Sequence, residues 1–190
     1  HIAAIYGLEE SNGVRALVHG ITSSRLGQVP RDGAPETRHY YRFASRMAAA
    51  FAFLADVSML AMGGALKRKE KISGRLGDVL SYLYMASMVL KHYHDNGSPK
   101  EDQPLVEWAC RDLLYRAQEQ LHGFLRNFPN RLLAWLMRAM IFPRGRTYFA
   151  PSDALSAKLA ALAMEPGPSR DRLCRHAFRT SVAGNPLAAL

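Results

Sequence analysis

Apolar residues recur at helical spacing along almost the whole chain, and sustained period-two alternation of strand length is missing. The pattern predicts a first helix from about Ile5 to Thr22, weakened by Gly7, Gly13 and Gly20. A loop rich in Gly and Pro follows, from Gly27 to Pro35. The second predicted helix, about Glu36 to Met62, carries Phe43, Met47, Ala50, Phe51, Leu54, Val57 and Ala61 on one stripe, and Gly63-Gly64 ends it. The third, about Lys67 to His94, places Ile72, Leu76, Val79, Leu80, Leu83, Ser87 and Leu90 on one face, and Asn96-Gly97-Ser98-Pro99 stops it. The fourth, about Gln103 to Asn127, has Val106, Cys110, Leu113, Leu114, Ala117, Leu121, Phe124 and Leu125 as its apolar side.

Shorter helices are predicted at Arg131 to Phe142, at Ser152 to Met164 with Ser152 or Asp153 as cap, and at Ser169 to His176. Proline turns separate them. The implied fold class is all-α: an antiparallel bundle of three to four long helices, with shorter helices towards the C-terminal end. No composition break divides the 190 residues, so residues 1–190 read as a single helical domain. Within it, residues 1–35 read as a linker helix and loop, and residues 130–190 as shorter helices packed on the bundle. The start at His1 and the helix-like opening at Asn185-Pro186-Leu187 predict a segment of a longer polypeptide.

Met47 to Leu66 holds one charge, Asp56, and could pass for a membrane span. An acid at mid-span costs about 2.5–3.5 kcal/mol, and a helix apolar on most sides is also what a bundle centre needs. The expectation is a buried bundle helix. Apolar residues make up 48% of the chain, enough for a substantial core. Cys110 and Cys174 form no metal or CxxC spacing and suggest a reducing compartment, although one disulfide stays open.

Lys and Arg outnumber Asp and Glu by 25 to 16, which attracts polyanions. The charge is scattered, however, and neither a zinc-finger nor an aromatic RNA-binding signature accompanies it, so nucleic acid is not an expected partner. The one tight cluster is Lys67, Arg68, Lys69 and Lys71. It reads as a solvated helix start, with a phosphate-bearing cofactor as the competing ligand. Asp56, Arg75 and Asp78 sit in apolar helices and read as a structural ion-pair network, with a general base as the alternative. His92 and His94 point about 200° apart and cannot share a metal; no metal site is expected.

Between Asn130 and Arg146, large apolar residues lie among arginines. Arg131, Leu132, Trp135, Leu136, Arg138, Arg144 and Arg146 form a candidate docking surface. Its helix is too short to span a bilayer but could lie in a membrane interface, or dock on the bundle or on another part of a parent protein.

Several stretches, in order, carry a family resemblance: Leu54-Ala55-Asp56-Val57-Ser58-Met59, the run from Gly63 to Ser81, and Leu83-Tyr84-Met85-Ala86-Ser87. Further along come Pro104-Leu105-Val106-Glu107-Trp108, Leu114-Tyr115-Arg116-Ala117-Gln118, Asn127-Phe128-Pro129-Asn130-Arg131, Ile141-Phe142-Pro143-Arg144-Gly145-Arg146 and Ala150-Pro151-Ser152-Asp153. Together they resemble the C-terminal region, after the catalytic domain, of the large bacterial fatty-acyl-CoA dehydrogenases of β-oxidation. The resemblance implies a parent enzyme that oxidises acyl-CoA to trans-2-enoyl-CoA with FAD, using a glutamate base that lies upstream. This chain has no Glu-Gly-x-Asn stretch, so no catalytic or flavin-binding residue is assigned to it and the segment alone is expected to be inactive. The implied partners are the catalytic domains of the same chain, acyl-CoA through the parent, and the inner-membrane surface, with a homodimer left open. The implied location is the bacterial cytoplasm, either free or peripheral on the inner membrane. The alternative is a free-standing helical interaction module without enzymatic activity.

Overall fold

The computed structural model describes residues 34–175. The expected helix from Ile5 to Thr22, nearly all of the following loop and the stretch after Arg175 lie outside them. All regular structure among the described residues is helical. A short 3-10 turn, Pro35–Thr37, leads into α1 (Arg38–Met62). Then come α2 (Ala65–Arg68), α3 (Glu70–Asp95), a 3-10 turn at Lys100–Asp102, and α4 (Gln103–Arg126). The shorter α5 (Arg131–Ile141), α6 (Asp153–Met164) and α7 (Pro168–Leu173) follow. The fold is the expected all-α helix bundle.

The long helices α1, α3 and α4 run antiparallel, as their polar contacts show. Glu36, just before α1, accepts hydrogen bonds from Tyr93 near the end of α3 and from Gln103 at the start of α4, both at 3.1 Å. At the opposite end, Arg75 near the start of α3 lies over Gly123 near the end of α4. Gly63 ends α1 at φ +50°, a backbone that side chains seldom adopt, as the Gly63-Gly64 signal predicts.

The core follows alternating steps of four and three residues. On α3 the buried series is Ile72, Leu76, Val79, Leu83, Ala86, Leu90 and Tyr93. On α4, Cys110, Leu114, Ala117, Leu121 and Phe124 keep the same rhythm, and on α1 so do Tyr40, Phe43, Met47, Ala50 and Leu54. This is the knobs-into-holes seam that near-parallel helices share. Leu114, Leu121 and Phe124 are fully buried, and each such side chain contributes about 1.5–3 kcal/mol relative to exposure. The segment Pro35–Met62 is long and apolar enough to cross a bilayer, with a mean hydropathy of 1.4. Met47, Ala50 and Leu54 nevertheless face the bundle interior and are buried against it.

Two local expectations need correction, on the core face of α3 and on its start. Leu80 and Ser87, placed on the core face of α3 by a 3.6-residue stripe, are exposed, because the seam steps at 3.5 and turns towards Ala86 and Tyr93 instead. Gly74 and Gly77 meet no helix within the bundle: among the described residues nothing lies within 4 Å of a Cβ built at either. The tight glycine is Gly123, where such a Cβ would meet Arg75 Nε at 3.0 Å. Finally, the third predicted helix is broken at Lys69 (φ −99°, ψ 61°) into α2 and α3. That break explains the basic cluster. Lys67 and Arg68 complete the last turn of α2, where the dipole favours cations, while Glu70 opens the first turn of α3.

Candidate docking surface

The chain between α5 and α6 is strapped across the bundle by two buried polar side chains that the apolar pattern did not reveal. Arg46 of α1 is 2% exposed. Its Nη2 donates to the Ile141 carbonyl at 3.0 Å and its Nη1 to Thr147 Oγ1 at 3.2 Å. The guanidinium sits 5.8 Å from the Phe43 ring centroid and 5.9 Å from that of Phe142. A cation at the last carbonyls of α5 complements that helix's negative end. Burial lowers the Arg46 pKa, and Arg144 nearby adds to the effect.

Gln118 of α4 is the second anchor. Its Oε1 accepts from the Thr147 and Tyr148 amides, both at 3.2 Å, and its Nε2 donates to the Tyr148 carbonyl at 2.9 Å. An extended segment without a strand partner has its backbone groups satisfied by one amide side chain. Tyr148 stacks on Phe43 with ring centroids 4.1 Å apart, and Arg146 pairs with Glu119 at 3.0 Å.

With both ends held, α5 has one fixed orientation. Asn130 caps it by accepting from the Leu133 amide at 3.0 Å. Ala134, Met137 and Ile141 are buried. The opposite side presents Leu132 (70% exposed), Trp135 (65%) and Leu136 (45%), large apolar groups left in water. Arg131 and Arg138 are exposed beside them, and Trp135, Arg138, Phe142 and Pro143 line an open groove of about 600 Å³. Within the candidate surface, Arg146 is paired with Glu119, and Arg131 donates to the Arg126 carbonyl at 2.6 Å.

His122 lies behind this surface, 6.1 Å from the Phe142 ring. Burial pushes its pKa below 6.5, and Arg138, Arg146 and Arg126 add to the effect against Glu119 alone. A base whose folded pKa is depressed stabilises the fold above its unfolded pKa, and that contribution is lost as pH falls through the folded value. The thermal midpoint should therefore drop as pH is lowered from about 7 to about 5, and drop less in His122→Gln. Equal pH profiles for the two proteins would remove His122 as a source.

Of the expected Asp56–Arg75–Asp78 network, Arg75 and Asp78 do not pair with each other. Asp78 is exposed, and the Arg75 guanidinium turns back to donate to the Lys71 carbonyl of its own helix at 3.1 Å. Among the described residues, no ion pair includes Arg75 or Asp78. Both lie on parts of α3 that the seam leaves outside, whereas Asp56 is half-buried on α1. His92 and His94 are in the last turn of α3, and no group of residues suited to a metal occurs among the described residues. Cys110 and Cys174 are both free. Burial pushes the Cys110 thiol up to about 12, so it behaves as a core residue.

No solved structure matches the chain. The family described as acyl-CoA dehydrogenase, C-terminal, bacterial type matches residues 3–190, nearly the whole sequence. The helical architecture, the segments quoted above and this match agree. The chain belongs to the bacterial-type acyl-CoA dehydrogenase C-terminal domain family.

Proposed function

We propose that this chain serves an FAD-dependent acyl-CoA dehydrogenase of fatty-acid β-oxidation as a non-catalytic helical domain. It stabilises the catalytic domains of the same polypeptide and holds the enzyme against the inner face of the bacterial membrane. Acyl-CoA and FAD are handled by the other domains. When bound there, the flavin supplies the acceptor for the hydride leaving the acyl chain. The described residues of this domain do not fit a flavin: Gly74 and Gly77 lie on an exposed helix face, and no glycine-rich loop before a helix cradles a diphosphate.

One observation carries the membrane part of the reading. α5 points Leu132, Trp135 and Leu136 into water beside Arg131 and Arg138, on a helix too short to span a bilayer. Apolar groups at the acyl boundary with arginines at the phosphates match an interfacial helix. The intact enzyme should co-sediment with vesicles containing phosphatidylglycerol, and Trp135→Glu should weaken that partition about tenfold, roughly 1.4 kcal/mol. Equal binding of the two proteins would sink the membrane assignment and leave α5 as a surface for the catalytic domains.

A further inference from the structure

A helix buried on one side is ordinarily polar on the other. The outer side of α3 is not: Tyr84 is 64% exposed, Met88 stands exposed one turn further on, and Leu80 and Met85 flank them. These residues belong to a second seam, opposite the one that faces the core. Gly74, Gly77, Ser81, Tyr84, Met88 and Lys91 follow alternating steps of three and four, and all are exposed. Glu70 stands one step earlier and is exposed too. The two glycines weaken a helix of 26 residues. Nothing lies within 4 Å of a Cβ built at either, so packing among the described residues does not account for them.

Size is ordered along this outer seam. Small residues fill its first half, from Gly74 to Ser81, and large ones its second, at Tyr84 and Met88. Laid antiparallel on a copy of itself, with a two-fold axis at Ser81, the seam sets each Tyr84 over the other copy's Gly77 and each Met88 over its Gly74. Glu70 then meets the other copy's Lys91 at both ends. These pairings share one register to within a residue, as alternating steps require. A parallel pairing would instead set Tyr84 on Tyr84 and Glu70 on Glu70. A two-fold contact must be self-complementary, and this seam is so in size and in charge. A lipid surface makes no use of the glycines, and an unrelated helix does not require opposite charges in register at both ends. We infer that α3 is an interface to a second copy of this chain, its two helices packed antiparallel and crossing at Ser81. Lys91 holds Asp95 of its own helix at 2.7 Å, and an ammonium with three donors can accept the partner's Glu70 as well. The contact is one helix wide, at the small end of specific interfaces, so it closes at micromolar protein concentration. It does not depend on the reading of α5.

The test uses the intact enzyme carrying Ser81→Cys, mildly oxidised at micromolar concentration, with bridged peptides identified by mass spectrometry. The expected result is a disulfide joining position 81 of two copies, since only a close crossing brings the two Cα atoms within reach. Ser87→Cys, exposed but off the seam, should give none. Glu70→Lys or Lys91→Glu, each added to Ser81→Cys, should cut the bridged fraction about fivefold through like charges at both ends. An equal mixture of the two should restore it as a mixed pair, because every cation then faces a carboxylate. Gly77→Leu should cut it about tenfold by filling the place of Tyr84. Leucine also strengthens α3 itself, so that loss reports the contact rather than the fold. An unbridged position 81 that labels readily with maleimide would show an open face. An unbridged position protected from maleimide would give the face to the catalytic domains of the same polypeptide, and protection only with vesicles would give it to the membrane. Each of these overturns the inference and leaves the proposed function standing. Equal bridging from Ser87→Cys, or a mixture that stays unbridged, overturns it as well.

Discussion

Replacing Arg46 by alanine should destabilise the domain by about 3–5 kcal/mol, the largest loss expected from a polar substitution here. Two charge-assisted hydrogen bonds disappear, to the Ile141 carbonyl and to Thr147 Oγ1, and such bonds contribute about 1.5–3 kcal/mol each. The aromatic faces of Phe43 and Phe142 lose the cation between them. The side chain is 2% exposed, so water cannot replace these contacts without opening the core. Arg46 also carries a cost, since its Nε is buried without a hydrogen-bond partner. Arg46→Met, which keeps the packed stem and sheds the charge, should therefore lose less than Arg46→Ala. Urea midpoints at unchanged slope would measure both. A loss below about 1 kcal/mol for Arg46→Ala would mean that Ile141 and Thr147 find other partners.

Gln118→Leu should cost about 2–4 kcal/mol, because three hydrogen bonds to the strap vanish and the freed backbone groups of Thr147 and Tyr148 are left near an apolar side chain. Leucine is similar to glutamine in size, so the loss reports the amide group rather than a cavity. The consequence should reach function. With the strap released, Tyr148 no longer stacks on Phe43 and the end of α5 loses one of its two fixings. The near-ultraviolet signal of Tyr148 should weaken, and vesicle binding through Trp135 should fall even though no docking residue has changed. A stable Gln118→Leu protein with unaltered vesicle binding would show that Arg46 alone orients α5.

The helices themselves were legible because their apolar residues recur at a spacing only a helix satisfies. The ends were legible where Gly63, Gly97 or a proline turn forces one. The register of burial was less so. Leu80 and Ser87 lie at the edge of the wide apolar stripe of α3, and the narrower seam of steps of four and three leaves both outside. The break at Lys69 was hidden because every residue around it is a good helix former, and only the dihedrals reveal two helices instead of one. The candidate docking surface was visible as a mixture of arginines and large apolar groups between Asn130 and Arg146. Which of those residues face outward was not, since helical phase relative to a partner is absent from a one-dimensional pattern.

Composition and periodicity by themselves determined an all-α fold with three long helices and a substantial core, and the ordered motif series determined the family. These are local properties, written into residue type and spacing. Only the tertiary structure decided that Arg46 and Gln118 go inside, that Asp78 and Leu80 stay outside, and that α5 turns Trp135 towards solvent. Arg46 reaches a carbonyl 95 residues away, and Gln118 reaches amides 29 and 30 residues away. A buried polar group is tolerated only when distant backbone arrives to satisfy it. That arrival depends on how the helices pack, so no window of sequence contains it.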